Sequence, residues 1–183
     1  MGKIIQDHLV EGRRMLRRHA RVRGKHFTRF HGSSTQICSQ ILDRLWNGQF
    51  LQASLGHFNC FYVRDFSMSL ESLLELGFRD KVVATLNYAL DRFEKADAIK
   101  TYINLHGKPV NFPNVYSLDS VALLFRAVAI VNDKQMIDRY KFFLQRELYK
   151  FNSKALNKVT GEIKRHFHFG GMRDHAKRDS SCY

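Results

Sequence analysis

The sequence predicts an all-α protein built from antiparallel helical hairpins. Apolar residues recur at helical spacing along most of the chain, and no convincing run of alternating strand residues appears, although short hairpins could lie in the gaps. Asp residues that open helices recur at an almost fixed period, with 54 positions from Asp65 to Asp119 and 55 from Asp119 to Asp174. Such self-similarity is typical of stacked supersecondary units, so the three carboxylates are expected on one side of the assembly.

Each predicted helix has an apolar stripe and a recognisable end. A basic helix is predicted over residues 3–20, and a basic connector over 21–34 follows it. Ser34 or Thr35 caps the next helix, which ends at Asn47-Gly48. The remaining helices are predicted from about 66 to Gly77 and over 81–95, 119–131 and 134–149.

Short and long connections alternate along the chain. Turns at Gly77-Phe78 and at Asn132 join the helices in pairs. The other connections exceed the roughly 2–8 residues usual between helices, and they span about 48–64, 97–117 and 151–173. In an antiparallel array this alternation puts all the long loops at one end. The prediction is a ring or solenoid whose loop face carries Arg64, Asp65, Asp119 and Asp174.

The net charge of +13 is concentrated at the two ends of the chain. Residues 1–31 hold nine Lys and Arg against two acids, and residues 154–179 hold seven against three. Such an excess can attract nucleic acid or an anionic surface. It can equally serve solubility, or form one face of a larger protein whose acidic part lies elsewhere.

Composition predicts a cytoplasmic protein with a packed core. No apolar run approaches the length of a membrane span, and the polar N-terminus has no signal-peptide core, so no membrane partner is expected. Cys38, Cys60 and Cys182 are scattered and odd in number, as is typical of reduced thiols.

Three segments carry a resemblance to a known family. They read Phe61-Tyr62-Val63-Arg64-Asp65-Phe66-Ser67, Tyr116-Ser117-Leu118-Asp119-Ser120 and, more loosely, Met172-Arg173-Asp174. These segments resemble the six-hairpin glycosidase superfamily. The first is similar to an aromatic-x-Arg-Asp segment of glucoamylases and neutral/alkaline invertases, and the others to the Val-Asp-Ser and Ile-Asp-Arg-Arg segments of the invertases.

The resemblance implies a toroid of six helical hairpins, an (α/α)6 fold whose inner helices point their N-termini at a sugar pocket. Residues 35–183 would form the first half of this toroid, truncated at the C-terminus, after the basic helix and connector of 1–34. Six units of about 54 residues need roughly twice this length. A fragment is therefore expected. The alternatives are an oligomer that covers the open edge, such as a dimer closing the ring, and an open architecture.

By the resemblance, Asp119 is the candidate general acid of a glycoside hydrolase. Hydrolysis typically needs two carboxyl groups, one protonated and one ionised. Apolar neighbours such as Leu118 and Val121, and the lack of an adjacent cation, favour the protonated form. Capping of its helix is an alternative and compatible role for Asp119. In the family the second catalytic carboxylate normally lies in the later half of the toroid.

The resemblance also makes Tyr62, Arg64, Asp65 and Asp174 candidate substrate-binding residues. Arg64 and Asp65 would clamp vicinal sugar hydroxyls through charge-assisted bonds, unless they form a structural salt bridge or a cap. Tyr62 adjoins this clamp and would stack on a sugar face. Asp174 would contact a ligand or, alternatively, would only cap the start of a helix. Further aromatic candidates, alternatively core residues, are Phe58, Phe61 and Trp46.

No metal or cofactor is predicted. The spacing of His166, His168, His175 and Cys182 fits no zinc template, and the chain has neither a Gly-rich phosphate loop nor a nucleophile elbow. The predicted function is hydrolysis of a sugar or oligosaccharide substrate. The alternative is a basic helical module that binds RNA or protein without catalysis, through the Arg-rich face of residues 13–25.

Overall fold

The protein is mainly helical, as predicted. A computed structural model describes residues 29–56, 58–111 and 116–164, and six helical residues within 3–20, namely Leu9, Gly12, Arg13, Leu16, Arg17 and Ala20. In the three described ranges the helices are α1 (Ser34–Leu45), α2 (Val63–Glu75), α3 (Arg79–Lys95), α4 (Leu118–Val131) and α5 (Lys134–Lys154). The strands are β1 (Phe61–Tyr62), β2 (Tyr102–Ile103) and β3 (Pro109–Val110).

Local sequence signals determine where the helices begin and end. Ser33 caps α1 in a capping box, since its Oγ accepts from the Gln36 N–H at 3.3 Å and Gln36 Oε1 accepts from the Ser33 N–H at 2.8 Å. Gly77, at φ +82°, forms the turn from α2 to α3 without the steric cost a side chain would bring. Asn132, at φ +48°, ends α4, and the Asp133 carboxylate starts α5 by accepting a first-turn amide at 2.8 Å.

Some boundaries differ from the prediction. Helix α2 begins at Val63, about three residues early, because β1 ends at Tyr62 and the Val63 N–H donates to the Thr101 carbonyl at 3.2 Å. Helix α5 continues five residues past 149, since Phe151 still packs against the core. Amphipathic periodicity locates the helices, and tertiary contacts set their last turns.

A small antiparallel sheet occupies two of the long connections. Phe61 in β1 lies opposite Ile103 in β2, and Ile103 lies opposite Pro109 in β3. Phe61 and Ile103 are fully buried, so the sheet closes one end of the core. Short hairpins in the gaps between helices were allowed for by the sequence, and the sheet confirms them.

The helices form two layers in which equivalent helices run parallel. Arg64 and Ser67 of α2 bond to Asp119 and Leu123 of α4, so residue numbers rise together along both helices. In the other layer, Tyr140 of α5 donates to the Asn87 carbonyl of α3, and Lys150 donates to the Asp97 carbonyl just beyond α3. Two hairpins, α2–α3 and α4–α5, therefore stack side by side. The starts of α2 and α4, with Asp65 and Asp119, lie at the same end, as predicted.

A second repeat, which the sequence analysis missed, follows α1, α3 and α5. Each of these helices leads into a small hairpin: the Trp46–Leu51 bridge, the β2–β3 pair and the Leu156–Ile163 bridge. An asparagine side chain opens each turn by accepting the backbone N–H two residues on at 2.9 Å, and these residues are Asn47, Asn104 and Asn157. Each turn contains a glycine with positive φ, at Gly48, Gly107 and Gly161.

The core lies between the two layers. Its fully buried side chains include Leu70, Leu86, Phe93, Leu124 and Phe143. Burying each such side chain contributes about 1.5–3 kcal/mol before entropy losses. A smaller cluster under the third hairpin contains Leu118, Ala155 and Ile163.

None of the described helices combines the length and the apolar character that a membrane-spanning helix needs.

Candidate functional site

An ion pair joins the first turns of α2 and α4. Arg64 donates to Oδ2 of Asp119 from Nε at 3.0 Å and from Nη2 at 2.5 Å. The Asp119 side chain is 1% exposed, whereas that of Arg64 is 35% exposed. Arg64 therefore covers the carboxylate and presents part of its own side chain to solvent.

Other donors surround the second carboxylate oxygen of Asp119. Oδ1 accepts from Ser117 Oγ at 2.7 Å and from the Ser120 N–H at 2.8 Å. The Ser117 and Ser120 hydroxyls, both buried, lie 2.7 Å apart. An ionised carboxylate is acceptor-only, so this ring of donors is suited to the ionised form of Asp119.

The cation that pairs with Asp119 is not adjacent to it in sequence. The prediction considered adjacent residues only, and none of them is a cation, whereas Arg64 reaches the carboxylate from α2. The N-cap of α4 is Ser117, and Asp119 lies within the first turn, where it accepts an amide. Its assignment as a general acid stays a prediction, which these contacts do not favour.

Asp65 and Tyr62 line a different space from the ion pair. A pocket of about 80 Å³ lies between α1, α2 and the segment 51–53. Tyr62 and the exposed residue Asp65 form part of its lining, with Gln52 and Ser69 as further polar residues. Its apolar lining consists of Leu42, Leu45, Leu51, Ala53, Phe66 and Leu73.

Two members of the predicted clamp therefore face different surroundings. Arg64 bonds to Asp119, while Asp65, the next residue, lines the pocket beside α1. Consecutive helical residues are about 100° apart around the axis, so they do not share a face. A salt bridge at a helix start was the alternative interpretation, and Arg64 makes one with Asp119.

Aromatic rings lie next to the start of α2. Tyr62 stacks on Tyr102 with centroids 4.9 Å apart and an interplanar angle of 14°, and Phe58 meets Tyr62 edge to face at 5.7 Å. Phe58 is exposed. Phe61 is fully buried and Trp46 packs against the core, which is the alternative that the sequence left open for them.

Several predicted residues lie outside the part of the chain that the structure describes. They are Asp174, His166, His168, His175 and Cys182. Among the described residues, no group of three or more His, Cys, Asp or Glu side chains is arranged to hold a metal ion. Cys38 and Cys60, both described, form no disulfide with each other.

Sequence reasoning missed the polar partners of the candidate residues. Ser117 and Ser120 hold Asp119, and their position in a Ser-x-Asp-Ser stretch at a helix start was an available local signal. Gln52 and Ser69 line the pocket, but they come from separate segments, and no spacing rule connects them.

Comparison of the chain with protein-family models, with curated proteins and with solved structures found no match.

Proposed function

We propose that the chain is the sugar-contacting part of a carbohydrate-active protein of the six-hairpin glycosidase type. The observation that carries this proposal is the meeting of the α2 and α4 starts at one end, joined by Arg64 and Asp119, with Asp65 and Tyr62 on the adjoining pocket. Stacked helical hairpins with a period of about 54 residues agree with it. The full (α/α)6 ring is part of the proposal.

The chemistry of the pocket suits a polyhydroxylated ligand. An exposed carboxylate such as Asp65 accepts hydrogen bonds from sugar hydroxyls, and these bonds are charge-assisted. Tyr62 supplies both a ring face and a hydroxyl, and Gln52 and Ser69 supply further polar groups.

Catalysis belongs to the same proposal. Hydrolysis in the parent protein would use a second carboxylate from the later half of the ring, and Asp174 would contribute a further sugar contact. Asp119 would either donate a proton, after Arg64 has moved away, or hold Arg64 towards the substrate. No cofactor is required for this chemistry. Cys38 and Cys60 form no disulfide with each other, which agrees with a cytoplasmic location, and we also propose that location.

Sugar titrations followed by ¹H–¹⁵N NMR test the proposal. Glucose, fructose, sucrose and maltose are the probes, and at least one should give saturable shifts at the amides of Tyr62, Asp65 and Ser69 that do not depend on salt. Asp65→Asn should weaken this binding about tenfold or more, because it removes charge-assisted bonds. Glu75→Gln is the matched control, since Glu75 is an exposed acid at the other end of α2.

Two results would count against the proposal. One is the absence of any response to the four sugars. The other is equal binding by the Asp65→Asn and Glu75→Gln variants. If, in addition, an RNA oligonucleotide bound with strong salt dependence, and neutralising Arg13, Arg14, Arg17 and Arg18 abolished that binding, the basic-module alternative would be favoured.

A further inference from the structure

The solvent side of α5 carries two of the most exposed aromatic side chains among the described residues. Phe142 is 84% exposed and Tyr149 is 73% exposed. They are seven residues apart, nearly two helical turns, so they lie on one line about 10 Å apart along the axis. Gln145 lies between them and is also exposed. We call this line the α5 outer face.

The α5 outer face is separate from the sugar pocket and from the core. The buried side of the same helix consists of Met136, Tyr140, Phe143, Leu144 and Glu147. The pocket with Asp65 lies between α1 and α2, at other elements of the fold. Nothing in the proposed sugar chemistry accounts for exposed rings on α5.

Cations flank the aromatic line on both sides. Lys134 and Lys141 lie on one flank and Arg139 and Arg146 on the other, and all four are exposed. Arg146 is already paired with Asp97, at 2.6 Å. Asp138 is the only exposed acid of α5, every residue of which is described. The face is therefore net positive, in a chain of net charge +13.

This combination points to one kind of partner. Exposed apolar groups that are gathered on one face, rather than scattered singly, can mark a contact site. Aromatic rings that alternate with cations recognise single-stranded nucleic acids, because bases stack on the rings and phosphates neutralise the cations. A lipid surface would be better matched by a continuous apolar stripe than by rings separated by an amide.

We propose that the α5 outer face binds single-stranded nucleic acid, with bases stacked on Phe142 and Tyr149. Lys134, Lys141 and Arg139 contact the phosphates, and Gln145 donates to or accepts from a base edge. The 10 Å between the rings gives each ring its own base. Duplexes are excluded as preferred ligands, because paired bases do not offer their faces for stacking.

Fluorescence anisotropy with labelled single-stranded oligouridylate and oligothymidylate tests this site. Phe142→Ala and Tyr149→Ala should each weaken binding about tenfold, whereas Tyr149→Phe, which keeps the ring, should bind nearly normally. Met68→Ala is the matched control, since Met68 is an exposed apolar residue on α2. Circular dichroism verifies that each variant is folded.

Charge variants separate stacking from general attraction of a polyanion. Lys141→Gln should reduce the slope of log K against log salt concentration by about 0.7, and Asp138→Asn should strengthen binding. Asp65→Asn should leave oligonucleotide affinity unchanged, which keeps this site distinct from the sugar pocket. A labelled duplex of equal charge should bind more weakly than the single strand.

Three results would overturn the proposal. In the first, the two alanine variants bind the oligonucleotides as tightly as the unmodified chain, so only charge acts. In the second, no oligonucleotide binds at low salt. In the third, the same variants dissociate a dimer in sedimentation experiments while nucleic acid affinity stays constant, which would make the α5 outer face a contact between two copies.

Discussion

Arg64 on α2 reaches across to Asp119 on α4, and the two side chains form an ion pair although 55 positions separate them in sequence. A second cross-helix bond, from Ser67 Oγ to the Leu123 carbonyl at 2.8 Å, follows one turn later. Because the partners advance together along both helices, the ion pair sets the register of the two hairpins. It also keeps the loop ends of both hairpins at one level.

Loss of the Asp119 charge should destabilise the protein strongly. Asp119→Asn leaves Arg64 without its counter-ion and disturbs the bonds from Ser117 and Ser120, so we expect a loss of about 3 kcal/mol in the free energy of unfolding. Urea denaturation measures this loss. Glu71→Gln is the control. It removes an exposed ion pair with Arg126 that joins the same two helices, so the loss in the free energy of unfolding should stay below about 1 kcal/mol. Equal losses in the two variants would contradict a buried role for the pair.

The sequence predicts most of the helical framework. Apolar periodicity locates the helices, and Gly77 and Asn132 mark the two short turns, because few other residues adopt positive φ at low cost. The positions of Asp65 and Asp119 at one end follow from the alternation of short and long links. These features depend on local patterns, which a sequence displays directly.

The partner of Arg64 could not be predicted, because a long side chain has several carboxylates within reach and the register of packed helices decides among them. Asp65 is adjacent in sequence, yet it lines a separate pocket beside α1. The repeat of small hairpins, unlike the partner of Arg64, does have a local signal in the sequence. An apolar residue followed by Asn, with Gly one to four residues later, occurs at Asn47, Asn104 and Asn157.

Two hairpin glycines provide a matched pair of substitutions. Gly107 and Gly161 both have φ +72°, but a Cβ on Gly107 would lie 3.3 Å from the Arg92 guanidinium, whereas one on Gly161 would meet nothing within 4 Å. Gly161→Ala should therefore lower the free energy of unfolding by only about 1 kcal/mol, the cost of placing a residue with a Cβ at positive φ. Gly107→Ala should cost more, since Arg92 must also move. Thermal or urea unfolding measures both, and a larger loss for Gly161→Ala would contradict this account of the turns.

Alkaline pH should destabilise the fold through Tyr140, which is buried, and Tyr88, which is half-buried. Burial raises the pKa of Tyr140 above its ordinary value of 10.0, and burial likewise raises the pKa of Tyr88. The unfolded chain then releases these protons at lower pH than the native state does. The stability that the two tyrosines contribute is fully present below pH 10, and it is lost as the pH rises through their raised native pKa.

Tyr140→Phe isolates that effect. The variant should lose about 1 kcal/mol at neutral pH, because the bond from Tyr140 to the Asn87 carbonyl is removed. Its stability should then fall less steeply between pH 9 and 11 than that of the unmodified chain. Urea titrations at several pH values give the slopes, with Tyr149→Phe as the exposed control. Identical slopes for Tyr140→Phe and the unmodified chain would show that Tyr140 does not contribute.

A buried carboxylate fixes the start of the long connection between α3 and α4. Glu147 on α5 is 0% exposed, accepts the Ile99 N–H at 3.1 Å and is paired with Lys150 at 2.8 Å. Lys150 also donates to the carbonyl of Asp97, whose φ is +52°. Glu147 and Lys150 thus hold the chain where it leaves α3, ahead of the sheet that supports the start of α2.

Glu147 substitutions should loosen this connection in a graded way. Glu147→Gln keeps an acceptor for the Ile99 amide but loses the charge beside Lys150, whereas Glu147→Leu leaves that amide without its acceptor. We expect losses of about 1–2 kcal/mol and about 3 kcal/mol respectively in the free energy of unfolding. Hydrogen exchange at the Ile99 amide should accelerate more in Glu147→Leu, while that at Leu70 in α2 should change only with global stability. Equal exchange rates at Ile99 in the two variants would show that the carboxylate does not hold this segment.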